Sequence, residues 1–575
     1  MLTTMKKLFY ILAAVATVSF TACDDLLEEK NYGNPTVEDM MANEENVPLL
    51  VGQSYADLKW IHDHWGYWGV SSLTSDECVC PIRLPGKHWN DSGYWKNLNV
   101  HTWTEFAECF RNIWNSTISG AVNCNQLIKT LTDNNSKMSE ASFKQYIGEL
   151  EVLRSYYFYL LFDCFGRIPY LEEYVDKTEP LMEPEDVWSH LVACLERNAP
   201  NMAVVNDSNR PQNYGRVTQG FAYALLARLY LNAESFGCTE TNVFKSVEKP
   251  ATFSGSFMDN CVRCCDAVIN SGSYKIESDF FANFKIDNSA SKENIFVLVE
   301  DGNAEFDHRY NGSMSNKLRI PILTLHYSHQ QTWGMIEKPW NGFSARPEFM
   351  ALYNENDVRG AGNEYETITD ADGAQVTVHK GTRSTKQWGW FVGPVYDAKG
   401  ENILLDENKD QSIVRIEIES LDGATWNDGA RLWKYEIDKA GAYAYGENDF
   451  VLMRYADVLW MKEEAILRGG AGTSGFNSAD FNTLKKRTFA YGGTSFEEAY
   501  GAAPTLEMIL DERGREFAWE LVRRRDLIRF GEYEKVQYVT NTNADYRWFP
   551  IPYSVLEKSK RDENGNPYWT QNKGY

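Results

Sequence analysis

A mainly α-helical fold with long loops and minor strands is predicted by three observations. Apolar residues recur at spacings of three and four in several long stretches, the signature of one buried helix face. The stretches between them, roughly 60–103, 300–345 and 360–445, are long and rich in aromatics and glycine. Regular alternation, the mark of a half-buried strand, is confined to short segments.

In chain order, Lys6-Lys7 is followed by an apolar run from Leu8 to Phe20, about 13 residues. That suits a signal-peptide core and falls well short of the ~20 a spanning helix needs. Residues 1–22 therefore read as an export address outside the fold. Thr21-Ala22-Cys23 resembles the bacterial lipobox, in which the cysteine becomes an acylated N-terminus. Cys23 is then the lipidation site, and several acyl chains, at roughly 0.8 kcal/mol per buried CH₂, hold a protein on a membrane. A secretory signal with an incidental cysteine is the alternative.

Leu150, Leu153, Tyr157 and Leu161 define the first strong helix, which ends at Phe165-Gly166 before the extended Ile168-Pro169. Phe221, Leu225, Ala227 to Leu229 and Ala233 define the second, with Thr218 as its N-cap. Phe257–Ser271 reads as another helix. Leu452, Tyr455, Leu459, Ala465 and Ile466 define a further one, stopped by Gly469-Gly470. Asp480–Arg487 and Leu506–Phe530 complete the set, while Ile295 to Val299 and Ile413 to Ile418 read as minor strands.

The 575 residues carry a net charge of −24, which argues against nucleic acid, whose phosphates need a basic footprint. Of 11 cysteines, setting Cys23 aside leaves an even number, yet Cys78 with Cys80, and Cys261 with Cys264 and Cys265, lack the spacing of a disulfide framework. No metal or cofactor is expected. His62-x-His64 and His326-x-x-His329 lack an evident third ligand. Enzyme signatures such as H-E-x-x-H, G-x-S-x-G and the Walker sequence are missing. Gly470-Ala-Gly472-Thr-Ser-Gly475 follows a helix rather than a strand and reads as an interhelical turn. Adjacent acids such as Asp76-Glu77 imitate a glycosidase pair, although 81 acidic residues make such neighbours common.

Four stretches, Gly148–Tyr170, Gly215–Leu231, Met453–Ala465 and Asp511–Glu520, resemble in order the motifs of the RagB/SusD family of nutrient-uptake lipoproteins. The closing Asn572-Lys573-Gly574-Tyr575 fits as well. The resemblance implies a SusD-like fold: four tetratricopeptide-like helix pairs supporting a variable ligand-binding face. Residues 23–235 and 236–575 would form N- and C-terminal regions interleaved into one body. It also implies a non-catalytic lipoprotein of the outer membrane, the acidic Asp24-Asp25 resembling a surface-export signal. Such a protein captures oligosaccharide and passes it to a SusC-like TonB-dependent transporter. A peptide-capturing lid and a surface-anchored glycoside hydrolase are the alternatives. Arg154, Tyr156, Arg228, Tyr230, Arg454, Asp457, Glu512, Arg515 and Glu516 in the motifs alternate charge with apolar bulk, as helix packing and buried ion pairs require.

Candidate binding residues lie in the loops. Seven of the 18 tryptophans fall between residues 60 and 114, a local enrichment. There Asp76-Glu77 to Arg83, and Trp89-Asn90-Asp91-Ser-Gly-Tyr94-Trp95, resemble motifs of a family subgroup. A sugar offers C–H faces that lie on an indole and hydroxyls that need carboxylate, amide or guanidinium partners. Asp76, Arg83, Trp89, Asp91 and Trp95 supply both. Alternatively, Trp89 and Trp95 anchor the loop and Asp91 closes an Asx-type turn before Gly93. Trp388 and Trp390, following Lys380 and Arg383, are candidates for an opposite wall.

Overall fold

The computed structural model describes residues 40–61, 63–84, 89–175, 179–300, 319–360, 365–369, 375–379, 389–397, 399, 401, 403, 413–438, 446–561 and 564–575. Cys23, His62, Lys380, Arg383 and Trp388 lie outside them, as do residues 1–22, read above as an export address.

Two 26-residue helices, α1 (Glu108–Asp133) and α2 (Glu140–Phe165), pack along each other. Ser139 caps α2 by accepting from the Ser142 amide, and Gly166, at φ 68°, ends it. At Gly120 a Cβ would stand 2.2 Å from Tyr157 Cζ, so α1 approaches α2 only because that position lacks a side chain. Tyr157 OH, thus placed, donates to the Ser54 carbonyl at 2.7 Å. Helix α3 (Pro184–Asn198) packs on α2, and α4 (Gln219–Leu231) on α3. Thr218 accepts from the Phe221 amide at the start of α4. Nearly every residue of α4 is buried, as befits a helix apolar all round at the centre of its neighbours. Helix α5 (Phe257–Asn270) opens with a Ser256/Asp259 capping box and lies against α4. Ten cysteines, Cys78 to Cys265, are buried free thiols.

Among the described residues the strands form four two-stranded antiparallel sheets. β1 (Asn294–Leu298) precedes a hairpin of β2 (Tyr365–Thr369) and β3 (Gln375–His379), then β4 (Gly389–Phe391), β5 (Gly393–Pro394), β6 (Ile413–Val414), β7 (Arg431–Trp433) and β8 (Phe450–Arg454). β1 pairs with β8, β4 with β7, and β5 with β6. The strand expected over Ile413 to Ile418 is thus reduced to two residues. Leu452, expected in a helix, lies in β8. Helix α6 (Tyr455–Leu467) starts only after Arg454, because β8 is held in the sheet by β1. α6 packs on α5 and α4. The Gly470 to Gly475 turn follows it, with Glu463 accepting from the Gly475 amide and Ser474, and leads to α7 (Ala479–Thr488).

The apolar pattern over Leu506–Phe530 breaks into α8 (Leu506–Glu516) and α9 (Arg523–Phe530). Trp519 and Leu521 between them have φ of 61° and 71°. The break has a tertiary cause. The Trp519 amide donates to Glu77 Oε2 at 2.9 Å, its indole donates to the Glu77 carbonyl, and its own carbonyl accepts from Trp68 Nε1. A helical Trp519 would lose all three. Burial pushes the Glu77 carboxyl up to about 8, against an ordinary 4.5, despite the opposing Trp519 amide and Ser72. The folded chain therefore holds this proton up to about pH 8, whereas the unfolded chain holds it only to about 4.5. Stability from the group is complete below 4.5 and is lost as pH rises through 8. Glu77→Gln keeps an acceptor for Trp519 without the ionisation. It is expected to melt higher than wild type near pH ~9 and to match it near pH ~5. Thermal melts at both values check this, and a constant offset would refute it.

Charged motif residues meet in the interior. Arg454 pairs with Glu293 at 2.6 Å, Glu516 at 2.8 Å and Glu520 at 2.7 Å. Arg487 joins Glu293 and Glu516, while Arg359 joins Asp357, Glu512 and Glu516. Burial works to raise the Glu516 pKa, but Arg487, Arg454 and Arg359 outweigh it and hold the carboxyl far below its usual range. A second chain runs from Arg228 through Asp457, Arg513 and Asp526 to Arg529. Arg154 differs from the expected buried pair. It donates to Asn125 Oδ1 and the Glu172 carbonyl, and its nearest carboxylate, Glu151, is 4.0 Å away.

Candidate functional site

The tryptophan-rich loop folds around a buried histidine. His64 lies between Asp63 Oδ1, at 3.3 Å, and a collar of rings: Trp95 at 5.3 Å, Trp89 at 5.4 Å, Trp65 at 5.8 Å, Trp340 at 6.2 Å and Phe343 at 6.3 Å. Burial tends to raise the Asp63 carboxyl, but His64, Arg319 and the Trp65 amide hold it at about 2. Within this collar Trp95 and Phe343 are buried, whereas Trp65, Trp89, Tyr94 and Trp340 are half-buried and reach the surface. Trp89 and Trp340 stand 5.1 Å apart with planes inclined at 54°. Gly342 makes this possible: a Cβ there would meet Trp89 Cε3 at 2.3 Å.

The predicted residues divide between this surface and the interior. Trp89 presents part of its ring. Asp91 is exposed, and its Oδ2 accepts from Trp95 Nε1 at 2.8 Å. Trp95 itself is 0% exposed, so it offers a ligand no ring face and acts as the loop's anchor. The turn before Gly93 is closed by Asn90, whose side-chain oxygen accepts from the Gly93 amide, and not by Asp91. Arg83 is 1% exposed. Its guanidinium donates to the carbonyls of Asn341, Gly342, Thr425 and Asp428 and to Ser344 Oγ, leaving nothing for a sugar hydroxyl. It ties the loop at 341–344 to the loop at 425–428. Asp76 receives both Arg523 Nε and Nη2 at 2.7 Å, which neutralises it. With Glu77 buried, these two carboxyls do not face a cleft as a pair. Trp390, 1% exposed in β4, packs on Trp519 at 5.6 Å and Phe349 at 6.0 Å, so it belongs to the core rather than to an opposite wall.

Three aromatic positions escaped the sequence reading. Trp340 donates from Nε1 to Glu337 at 3.1 Å. Beside it, Asn341 Nδ2 donates to the Trp426 carbonyl at 3.0 Å, which brings up the half-buried Trp426 and its edge-on partner Tyr327, 5.5 Å away. Lys338 Nζ stands 4.4 Å from the Tyr327 ring centre. Trp340-Asn-Gly-Phe343 inside an aromatic-rich stretch was the available signal. Inward, the rings continue without interruption from Phe343 to Trp68 at 5.5 Å, Trp519 at 5.5 Å and Trp390 at 5.6 Å. His326 and His329 are buried among aromatic rings, and no cluster of three metal-ligating side chains occurs among the described residues.

The surface is thus a set of partly exposed indoles with an exposed carboxylate at its edge, on loops tied together by buried Arg83. Such a surface stacks on planar C–H faces and accepts from hydroxyls.

Comparison with known proteins agrees with this architecture. The starch-binding protein SusD of Bacteroides thetaiotaomicron is 23% identical over 473 residues, covering 77% of this chain and 75% of that protein. Among solved structures, surface glycan-binding protein A from Bacteroides fluxus superposes with a TM-score of 0.66 at 20% identity, covering 93% of this chain and all of that one. The corresponding protein from Bacteroides thetaiotaomicron in complex with laminarihexaose gives 0.61 at 19% identity, covering 92% and 99%. The family model described as "Starch-binding associating with outer membrane" matches residues 74–231 and that of the SusD family matches 292–575; the chain belongs to the SusD family.

Proposed function

We propose that this protein is a non-catalytic glycan-binding lipoprotein of the outer membrane. It captures oligosaccharide on the Trp89 and Trp340 face and delivers it to a SusC-like TonB-dependent transporter. The observation that carries the reading is the pair of half-buried indoles 5.1 Å apart beside Trp65, Tyr94 and Asp91, on loops that buried Arg83 helps to hold in place. Membership of the SusD family and relatives named for binding starch and laminarihexaose support a glucan as cargo. Titration of the purified protein with maltohexaose, laminarihexaose and a mixed peptide pool tests the cargo. Saturable binding of an oligosaccharide without release of reducing ends supports the reading. Binding of peptides alone would make the protein a peptide lid, and release of reducing ends would make it a hydrolase.

Attachment is tested separately. Thr21-Ala22-Cys23 implies that Cys23→Ala abolishes lipid attachment while leaving the body folded, since an export signal acts as an address rather than as part of a fold. Metabolic labelling with a clickable fatty acid should mark wild type and not the variant. Equal labelling would remove the lipoprotein assignment.

A further inference from the structure

A well-formed cleft is lined by none of the residues of the aromatic face. About 570 Å³ in volume, it is bounded by residues 351–354, by Ala499 and Tyr500, and by the helix α8 side chains Glu507, Met508, Asp511 and Arg515. None of its lining residues belongs to the collar around His64.

Its chemistry is unfilled on both sides. Arg515, with a side chain only 3% exposed, uses Nε on Glu512 and Nη1 on the Leu352 carbonyl and stacks 3.6 Å from the Tyr500 ring centre. Its Nη2 makes no hydrogen bond among the described residues. Asp511 and Glu507, one helical turn apart, make no hydrogen bond or ion pair there either. Burial raises the Asp511 pKa although Arg515 and Arg523 oppose it, the condition of an acceptor short of donors. Tyr353 and Tyr500 supply aromatic wall, while Ala351, Leu352, Ala499 and Met508 supply apolar contact.

The combination selects among ligands by charge. An anion would face Glu507 and Asp511, and a cation would face Arg515. A neutral polyhydroxyl ligand satisfies both, donating hydroxyls to the carboxylates and accepting from Nη2 while its C–H face lies on ring and aliphatic surface. We infer that this cleft is a second carbohydrate site, sized for one or two sugar units and independent of the aromatic face. The inference rests on the glycan reading only for the choice of probes.

The test is saturation-transfer NMR on the protein carrying Trp89→Ala and Trp340→Ala, with methyl glycosides of glucose, galactose, mannose and xylose as probes. Transfer to at least one glycoside is expected to persist in this background. It should be lost when Ala351→Trp fills the cleft, and lost again when Asp511→Ala removes the free acceptor. Ala351 is exposed, and Asp511 makes no hydrogen bond or ion pair among the described residues, so neither change removes a contact of that kind. Circular dichroism confirms folding of each variant. Absence of transfer from all four probes, or transfer that survives both cleft variants, would overturn the inference. Failure of the aromatic-face reading shows differently, as unchanged oligosaccharide titration in the Trp89→Ala and Trp340→Ala protein.

Discussion

Glu516→Gln is expected to destabilise the fold by about 3–5 kcal/mol, the usual loss when one member of a buried ion network is removed. Glu516 is fully buried and touches Arg454, Arg487 and Arg359, so the neutral amide leaves three guanidinium groups short of charge in a region shielded from solvent. The loss should depend on pH in a definite direction. Because the folded pKa lies far below the ordinary 4.5, the carboxylate's contribution is complete above that value and disappears as the solution is acidified through the folded pKa. The gap between wild type and variant therefore narrows in acid. Urea unfolding followed by circular dichroism at neutral and acidic pH measures both halves. Equal midpoints at neutral pH would mean that the arginines find other partners.

The second large effect falls on binding. Trp89→Ala and Trp340→Ala should each weaken oligosaccharide affinity by about 5- to 30-fold, corresponding to roughly 1–2 kcal/mol of stacking per ring. The rings touch, so the double variant should fall short of the product of the two single losses. Trp95→Ala supplies the contrast. Its ring is buried, and removing it should lower stability by about 3–5 kcal/mol, the range for large core aromatics, with binding affected indirectly, through Trp89, Trp65, Tyr94 and Asp91, which it supports. Isothermal titration paired with thermal melts separates these outcomes. Unchanged affinity in both Trp89→Ala and Trp340→Ala would move the site off this face.

Helix α2 and helix α4 could be read from the sequence because local signals suffice: periodic Leu150 to Leu161 with Gly166 at the end, and Thr218 at the start. Two errors share a cause. Leu452 and Trp519 sit in patterns compatible with helix, but partners far along the chain, Phe296 and its neighbours in β1 for the first and Glu77 with Trp68 for the second, pull them into other conformations. The loop residues show the same limit in another form. Trp89 and Trp95 are chemically identical, and which of them faces water depends on His64, Gly342 and Phe343, separated from them by up to some 250 residues. Arg83 carries the donors a sugar needs, yet loops at 341–344 and 425–428 consume them. Composition revealed the concentration of indoles; only the fold assigned inner and outer roles.

The unbroken file of rings from Trp89 through Phe343, Trp68 and Trp519 to Trp390 also has an optical consequence. In a chain with 18 tryptophans, a change at one indole should be diluted in the total emission. Here the indoles of the file and the collar lie near enough to pass excitation to one another. Light absorbed by buried Trp68, Trp95, Trp519 and Trp390 should therefore drain toward the water-touched rings at the surface. Trp89 and Trp340 are then expected to act as the emitting end of a shared antenna. A ligand that covers them alters the colour and yield of light gathered deep in the protein, so the chain's own fluorescence is a reporter of its outer face.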